Sequence, residues 1–90
     1  MSSETKEVMR VIEKYARKNS KAVKAFKKEM QRVDRKDTGL ASKSLFKDEF
    51  FELCGDLDIS KSEYKDIERY YFEEDAEKVN YLEFYDAIMN

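Results

Sequence analysis

Ninety residues leave room for one domain, with 41% hydrophobic residues to build a core and 42% charged residues to keep its surface wet. No apolar run nears the roughly 18 residues a spanning helix requires, and no apolar signal-peptide core follows the N-terminus. A membrane span is therefore excluded on sequence, and an intracellular setting, cytoplasmic or cytoskeletal, is expected. The net charge of -2 divides unevenly, since residues 1–45 carry 13 Lys/Arg against 6 Asp/Glu and residues 46–90 carry 5 against 14.

The chain contains no proline, and its hydrophobic periodicity is helical almost throughout. A first helix is predicted from about Ser3 to Lys18, with Val8, Val11, Ile12 and Tyr15 on its apolar stripe and Glu4 and Glu7 near its positive end. Asn19-Ser20 can cap a second helix, on which Val23, Phe26, Met30 and Val33 step by three or four. The cations Lys14, Arg17, Lys18, Lys21, Lys24, Lys27 and Lys28 recur along these two helices. They read either as a solvated face or as a docking surface for an acidic protein, an anionic membrane or a nucleic acid. Nucleic acid fits least, because the chain is acidic overall and no aromatic stacking platform is interleaved with the lysines.

Ser42 can cap a third helix through Phe46, Phe50 and Leu53, with Gly55 as the residue expected to take the left-handed conformation at its end. Ser60-Lys61-Ser62-Glu63 has capping-box spacing and opens a fourth helix carrying Tyr64, Ile67 and Tyr71. Asn80-Tyr81-Leu82-Glu83 repeats that spacing and opens a fifth with Phe84, Ala87 and Ile88. Connections fall at 34–41, 55–59 and 73–79. Cys54, the lone cysteine, reads as a small apolar residue of the third helix, and without histidine the usual zinc ligands and acid–base pairs are missing. No nucleophile–base pair or phosphate-cradling glycine loop is present, so a stand-alone enzyme is not expected.

Two of the connections share a spacing. A calcium loop of twelve residues takes oxygen ligands from positions 1, 3, 5, 7 and 9 and a bidentate glutamate at 12, with glycine at 6. Gly39 sets Asp34 at position 1, Lys36 at 3, Thr38 at 5, the Leu40 carbonyl at 7, Ser42 at 9 and Leu45 at 12. In KVNYLEFYDAI, Val79 and Glu83 set positions 8 and 12 of a second loop, which puts Phe72 at 1, Glu74 at 3, Ala76 at 5, Glu77 at 6 and Asn80 at 9. With FKKEMQRVD before the first loop, FKDEFFEL after it and GDLDIS between the units, the chain resembles the EF-hand superfamily over about residues 20–90. The lead-in helix, residues 1–19, looks like that of calcyphosin-like and multi-EF-hand ciliary proteins, and myosin light chains are a close competitor.

The resemblance implies an all-α EF-hand pair plus one N-terminal helix, with loop 1 at 34–45 and loop 2 at 72–83. The loops would pair through two short strands centred on Ala41 and Val79. Its ligand positions Asp34, Thr38, Leu40, Ser42, Glu74, Asn80 and Glu83 are vestigial, because an ammonium and an isobutyl group replace carboxylates in loop 1 and loop 2 lacks its first ligand. No metal site and no cofactor are expected, weak calcium binding being the one exception left open. Lys36 is expected to stand in for the ion beside Asp34. Phe26, Met30, Phe46, Phe50, Leu53, Tyr64, Ile67, Tyr71, Phe84 and Ile88 would either form plain core or line a groove for a partner's amphipathic helix. The first helix could fill that groove from within. The function implied is a calcium-independent adaptor for a protein partner, cytoskeletal or axonemal, working through the groove, the basic face or both. Its competitors are a calcium sensor with atypical ligation and a regulatory segment of a larger protein.

Overall fold

The computed structural model describes residues 1–89, in which five α-helices surround one core and a small antiparallel sheet ties two connections together. Helix α1 (Ser3–Lys18) starts where the Ser2 hydroxyl accepts a hydrogen bond from the Thr5 amide at 3.2 Å. It buries Thr5, Met9, Ile12 and Ala16, while Val11 stays 49% exposed and Val8 and Tyr15 are half-buried. The buried stripe shares Ile12 with the predicted one and is turned about 80° from it, so that Val8 and Tyr15 pack at the edge of the core and Val11 faces outward. Helix α2 (Ser20–Val33) follows after the single residue Asn19. The Asn19 side chain was expected to cap α2 but reaches no amide there; it donates through Nδ2 to the Tyr15 carbonyl at 2.9 Å and so closes α1.

Helix α3 (Lys43–Leu53) is capped by the Ser42 hydroxyl, which accepts from the Leu45 amide at 3.2 Å. It ends at Cys54 and passes into a 3-10 turn over Gly55–Leu57. The left-handed residue at this junction is Asp58 (φ 54°) rather than Gly55, because the 3-10 turn carries the chain three residues further before it reverses. Helix α4 (Lys61–Tyr71) has the predicted capping box. The Ser60 hydroxyl accepts from the Glu63 amide, and the Glu63 carboxylate accepts from the Ser60 amide at 2.8 Å. Helix α5 (Tyr81–Met89) is capped by Asn80, whose Oδ1 accepts from the Glu83 amide at 3.0 Å.

Strands β1 (Leu40–Ala41), β2 (Phe72–Glu73) and β3 (Lys78–Asn80) form a sheet of order β1-β3-β2. Ala41 stands opposite Val79, the pair expected from the sequence. The third strand is a departure from the two-stranded pairing. Phe72 and Glu73 fold back on β3, with Phe72 opposite Val79 and Glu73 opposite Lys78. The hairpin turns over residues 74–77, where the Glu77 amide donates to the Glu74 carbonyl at 3.2 Å and Glu77 takes a positive φ of 54°. An apolar residue at the head of this segment favours a strand over an open ligand loop, and the Phe72 ring lies under the Lys43 ammonium at 4.3 Å. Val79, paired on both sides, is fully buried.

The core is one cluster that takes residues from every helix, so α1 is packed into the same interior as the rest. At its centre sits Phe84, with ring centroids 5.3 to 5.8 Å from Phe26, Phe46, Phe50 and Tyr71. No helix among the described residues is long and apolar enough to cross a membrane.

Candidate functional site

The connection between α2 and β1 is organised around one carboxylate. Asp34 closes α2, and its Oδ1 accepts from the Thr38 amide at 3.0 Å and the Thr38 hydroxyl at 2.8 Å. Its Oδ2 accepts from the Gly39 amide at 2.8 Å and from the Tyr81 hydroxyl at 2.7 Å, the latter 47 residues away. A second link runs beside it, from the Tyr81 amide to the Gly39 carbonyl at 3.1 Å. Tyr81 is fully buried, so its ring is held by packing while its hydroxyl reaches a charged acceptor. One residue of α5 therefore fixes the first loop at two points.

Partial burial of the Asp34 carboxyl works against its ionisation, but the donors from Thr38, Tyr81 and Gly39 outweigh it and hold the group at about 2, below the ordinary 3.8. Burial, and then the bond to Asp34, push the Tyr81 hydroxyl the other way, upward. A depressed carboxylate stabilises the fold above its unfolded titration range and loses that contribution as pH falls through the folded value. The stability gap between wild type and Asp34→Asn is thus expected to narrow as pH falls from about 4 to about 2 in denaturant titrations. An unchanged gap across that window would mean the donors do not discriminate the charged form.

Gly39 has φ +80°, and a Cβ there would lie 3.2 Å from Leu82 Cδ1 and 3.7 Å from Asn80 Oδ1. The left-handed backbone costs an L-residue about 1–2 kcal/mol, so Gly39→Ala is expected to lose that much in chemical unfolding. The Leu82 contact adds little, because the end of a flexible side chain can move aside.

Calcium, the ion that the resemblance implies, does not fit these side chains. Both oxygens of Asp34 are already engaged by protein donors, and Lys36 and Leu45 hold two of the positions that carboxylates would need. Leu40 is a strand residue opposite Asn80, and Ser42 and Asn80 serve as helix caps. Glu74 belongs to the hairpin turn and Glu83 is exposed on α5. The expected loop positions are spread over caps, strands and turn, and no three acidic or thiol side chains among the described residues converge as they would to hold a metal. Lys36 does not pair with Asp34, as it was expected to. The ion pairs among the described residues are Glu29 with Arg32 and Asp66 with Arg69. Backbone amides, the Thr38 hydroxyl and the Tyr81 phenol solvate the Asp34 carboxylate instead.

The ten candidate groove residues fall on the core side of the two readings. Phe26, Met30, Phe46, Phe50, Leu53, Tyr64, Ile67, Tyr71, Phe84 and Ile88 are all at most 5% exposed. They fill the space between the helices, with only the edges of Phe26, Leu53 and Tyr71 reaching surface clefts, and the Met9–Ile12–Ala16 stripe of α1 packs into the same cluster. Cys54 joins them, and burial lifts its thiol to about 12, far from a reactive thiolate. In contrast, Lys14, Arg17, Lys18, Lys21, Lys24 and Lys28 are exposed, flanking the elbow at Asn19. Lys27 is half-buried, its ammonium 4.5 Å above the Tyr85 ring.

Tyr81 is the contributor that the sequence reading passes over. Its signal was available, because Tyr81 lies two residues after the apolar Val79 and three before Phe84, and a tyrosine whose ring is buried there needs a partner for its hydroxyl. No family model, no curated protein and no solved structure matches the chain.

Proposed function

We propose that the chain is a calcium-independent, EF-hand-like adaptor without catalysis of its own, which binds an acidic protein surface through the cations flanking Asn19. The observation that carries this reading is the hydrogen bonding of Asp34, which gives the first loop its shape from protein donors alone. A loop set in this way has no need of an ion to order it, and with the apolar residues packed as core the activity passes to the surface. There, Lys14, Arg17, Lys18, Lys21, Lys24 and Lys28 are exposed and take part in neither ion pair found among the described residues. A solvated face would look the same one residue at a time. What supports docking is the concentration of six cations on two consecutive helices of a chain whose other half is acidic.

An acidic cytoskeletal or axonemal polymer of the tubulin kind suits such a face. Co-sedimentation with microtubules tests it, run with calcium and with chelator. Binding that is equal in both, weakened by salt and lost in Lys14→Glu/Arg17→Glu/Lys18→Glu supports the reading. Binding that requires calcium, or that survives the triple charge reversal, would overturn it.

A further inference from the structure

One local pattern occurs twice in the chain. In Arg17-Lys18-Asn19-Ser20 and in Arg35-Lys36-Asp37-Thr38 a hydroxyl follows an arginine by three positions and a lysine by two. Cations placed there are what the acidic cleft of a basophilic protein kinase pairs with when it selects a hydroxyl. No other serine or threonine of the chain has a cation at both positions.

The two hydroxyls stand differently in the fold. That of Thr38 is already committed, donating to Asp34 Oδ1 at 2.8 Å and accepting from the Leu40 amide at 3.2 Å. The loop around it is fastened, since the Gly39 amide and the Tyr81 hydroxyl reach the same carboxylate. A phosphate on Thr38 would also be set against the carboxylates of Asp34 and Asp37. Ser20, in contrast, is exposed, and no other described residue engages its hydroxyl. It belongs to the run 17–22, in which only Asn19 is half-buried and the rest are exposed, between the buried Ala16 and Val23. A kinase that draws its substrate into an extended form can lift this run away without uncovering the core. Only the elbow hydrogen bonds around Asn19 are given up.

The same position suits the product. Ser20 is the first residue of α2, an end that has no side-chain cap and no acidic residue in its first turn. The Ala22 and Val23 amides donate to the Asn19 carbonyl at 3.0 and 3.2 Å, while those of Ser20 and Lys21 have no partner among the described residues. Along the chain, Arg17, Lys18, Lys21 and Lys24 flank the hydroxyl. A phosphate there meets free amides, the positive end of a helix and nearby cations at once.

We infer that Ser20 is a phosphorylation site for a basophilic serine kinase and that its phosphate caps the N-terminus of α2. In the step, Ser20 Oγ bonds to the γ-phosphorus of ATP as the bond from that phosphorus to the β–γ bridging oxygen breaks. ADP leaves, and the hydroxyl proton passes to the kinase's catalytic carboxylate. The inference does not rest on the adaptor reading, because it concerns one hydroxyl and one helix end. For a face that docks by charge, about two added negative charges at Ser20 oppose the docking.

The folded chain is incubated with magnesium, ATP and the catalytic subunit of cyclic-AMP-dependent protein kinase, and the product is mapped by mass spectrometry. The expected result is a single phosphoryl group on Ser20, absent from Ser20→Ala, retained in Thr38→Ala and greatly slowed in Arg17→Ala. Circular dichroism checks that each variant folds. In urea the phosphorylated protein is expected to unfold at a higher midpoint than the unmodified one. Transfer to Thr38 or to another hydroxyl in place of Ser20 would overturn the inference, as would a rate that Arg17→Ala leaves unchanged. So would a folded chain that takes no phosphate, whether or not a synthetic peptide of residues 14–24 does. An unchanged or lowered midpoint would overturn the capping role.

Discussion

Phe84→Ala is expected to lower the free energy of unfolding by about 3–5 kcal/mol, the range for removing a large aromatic from a packed interior. Phe84 has no exposed surface and holds four aromatic neighbours from α2, α3 and α4 at 5.3 to 5.8 Å. Its loss opens a cavity where α2, α3 and α4 meet on α5. A domain of this size has a total stability of about 5–15 kcal/mol, so the variant should be close to unfolding at room temperature. Urea denaturation measures this directly. Tyr70→Ala is the control, because Tyr70 is 56% exposed and its truncation should shift the midpoint little. Equal losses at the two positions would mean that the helices do not pack on Phe84 as described.

Asp34→Ala should cost about 2–3 kcal/mol, less than the core truncation but more than an exposed carboxylate ordinarily contributes. Four donors lose their acceptor at once, and the Tyr81 hydroxyl loses its partner at the end of a fully buried ring. Tyr81→Phe removes one of those bonds and should cost about 1–2 kcal/mol. The double variant separates the pair from its surroundings. If the bond between the two side chains is worth what its geometry implies, the two single losses will exceed the double loss by about 1 kcal/mol. Strict additivity would place the stabilising effect of Asp34 in the Thr38 and Gly39 donors of its own loop alone.

Much of the helical frame could be read from residue types. Ser42, Ser60 and Asn80 each mark a helix start, because a side-chain oxygen two or three residues ahead of an orphan amide has few other uses. The opposition of Ala41 and Val79 was expected only from the resemblance to paired EF-hand loops. Strand β2 was illegible because two residues carry too little periodicity to signal a strand, and Phe72 pairs only once β3 is in place. The buried face of α1 was read only in part, with Ile12 at its centre, Val8 and Tyr15 at its edge and Val11 outside it. Val11 and Met9 are similarly apolar, and the choice between neighbouring stripes is made by the helices that α1 packs against. At the site, Asp34 could be read from the sequence but its partner could not. Lys36 is a cation at a ligand position of the same loop, whereas the donor that reaches Asp34 from another element is a phenol 47 residues later, brought there by the sheet.

The proposed metal independence of the first loop is tested most directly by following backbone amides by NMR as calcium is added to the chelator-treated protein. The account predicts that the Gly39 and Val79 resonances are already dispersed without calcium and show no saturable shift up to millimolar ion. A saturable micromolar shift at those two amides, abolished by Asp34→Ala in a variant that remains folded, would contradict it.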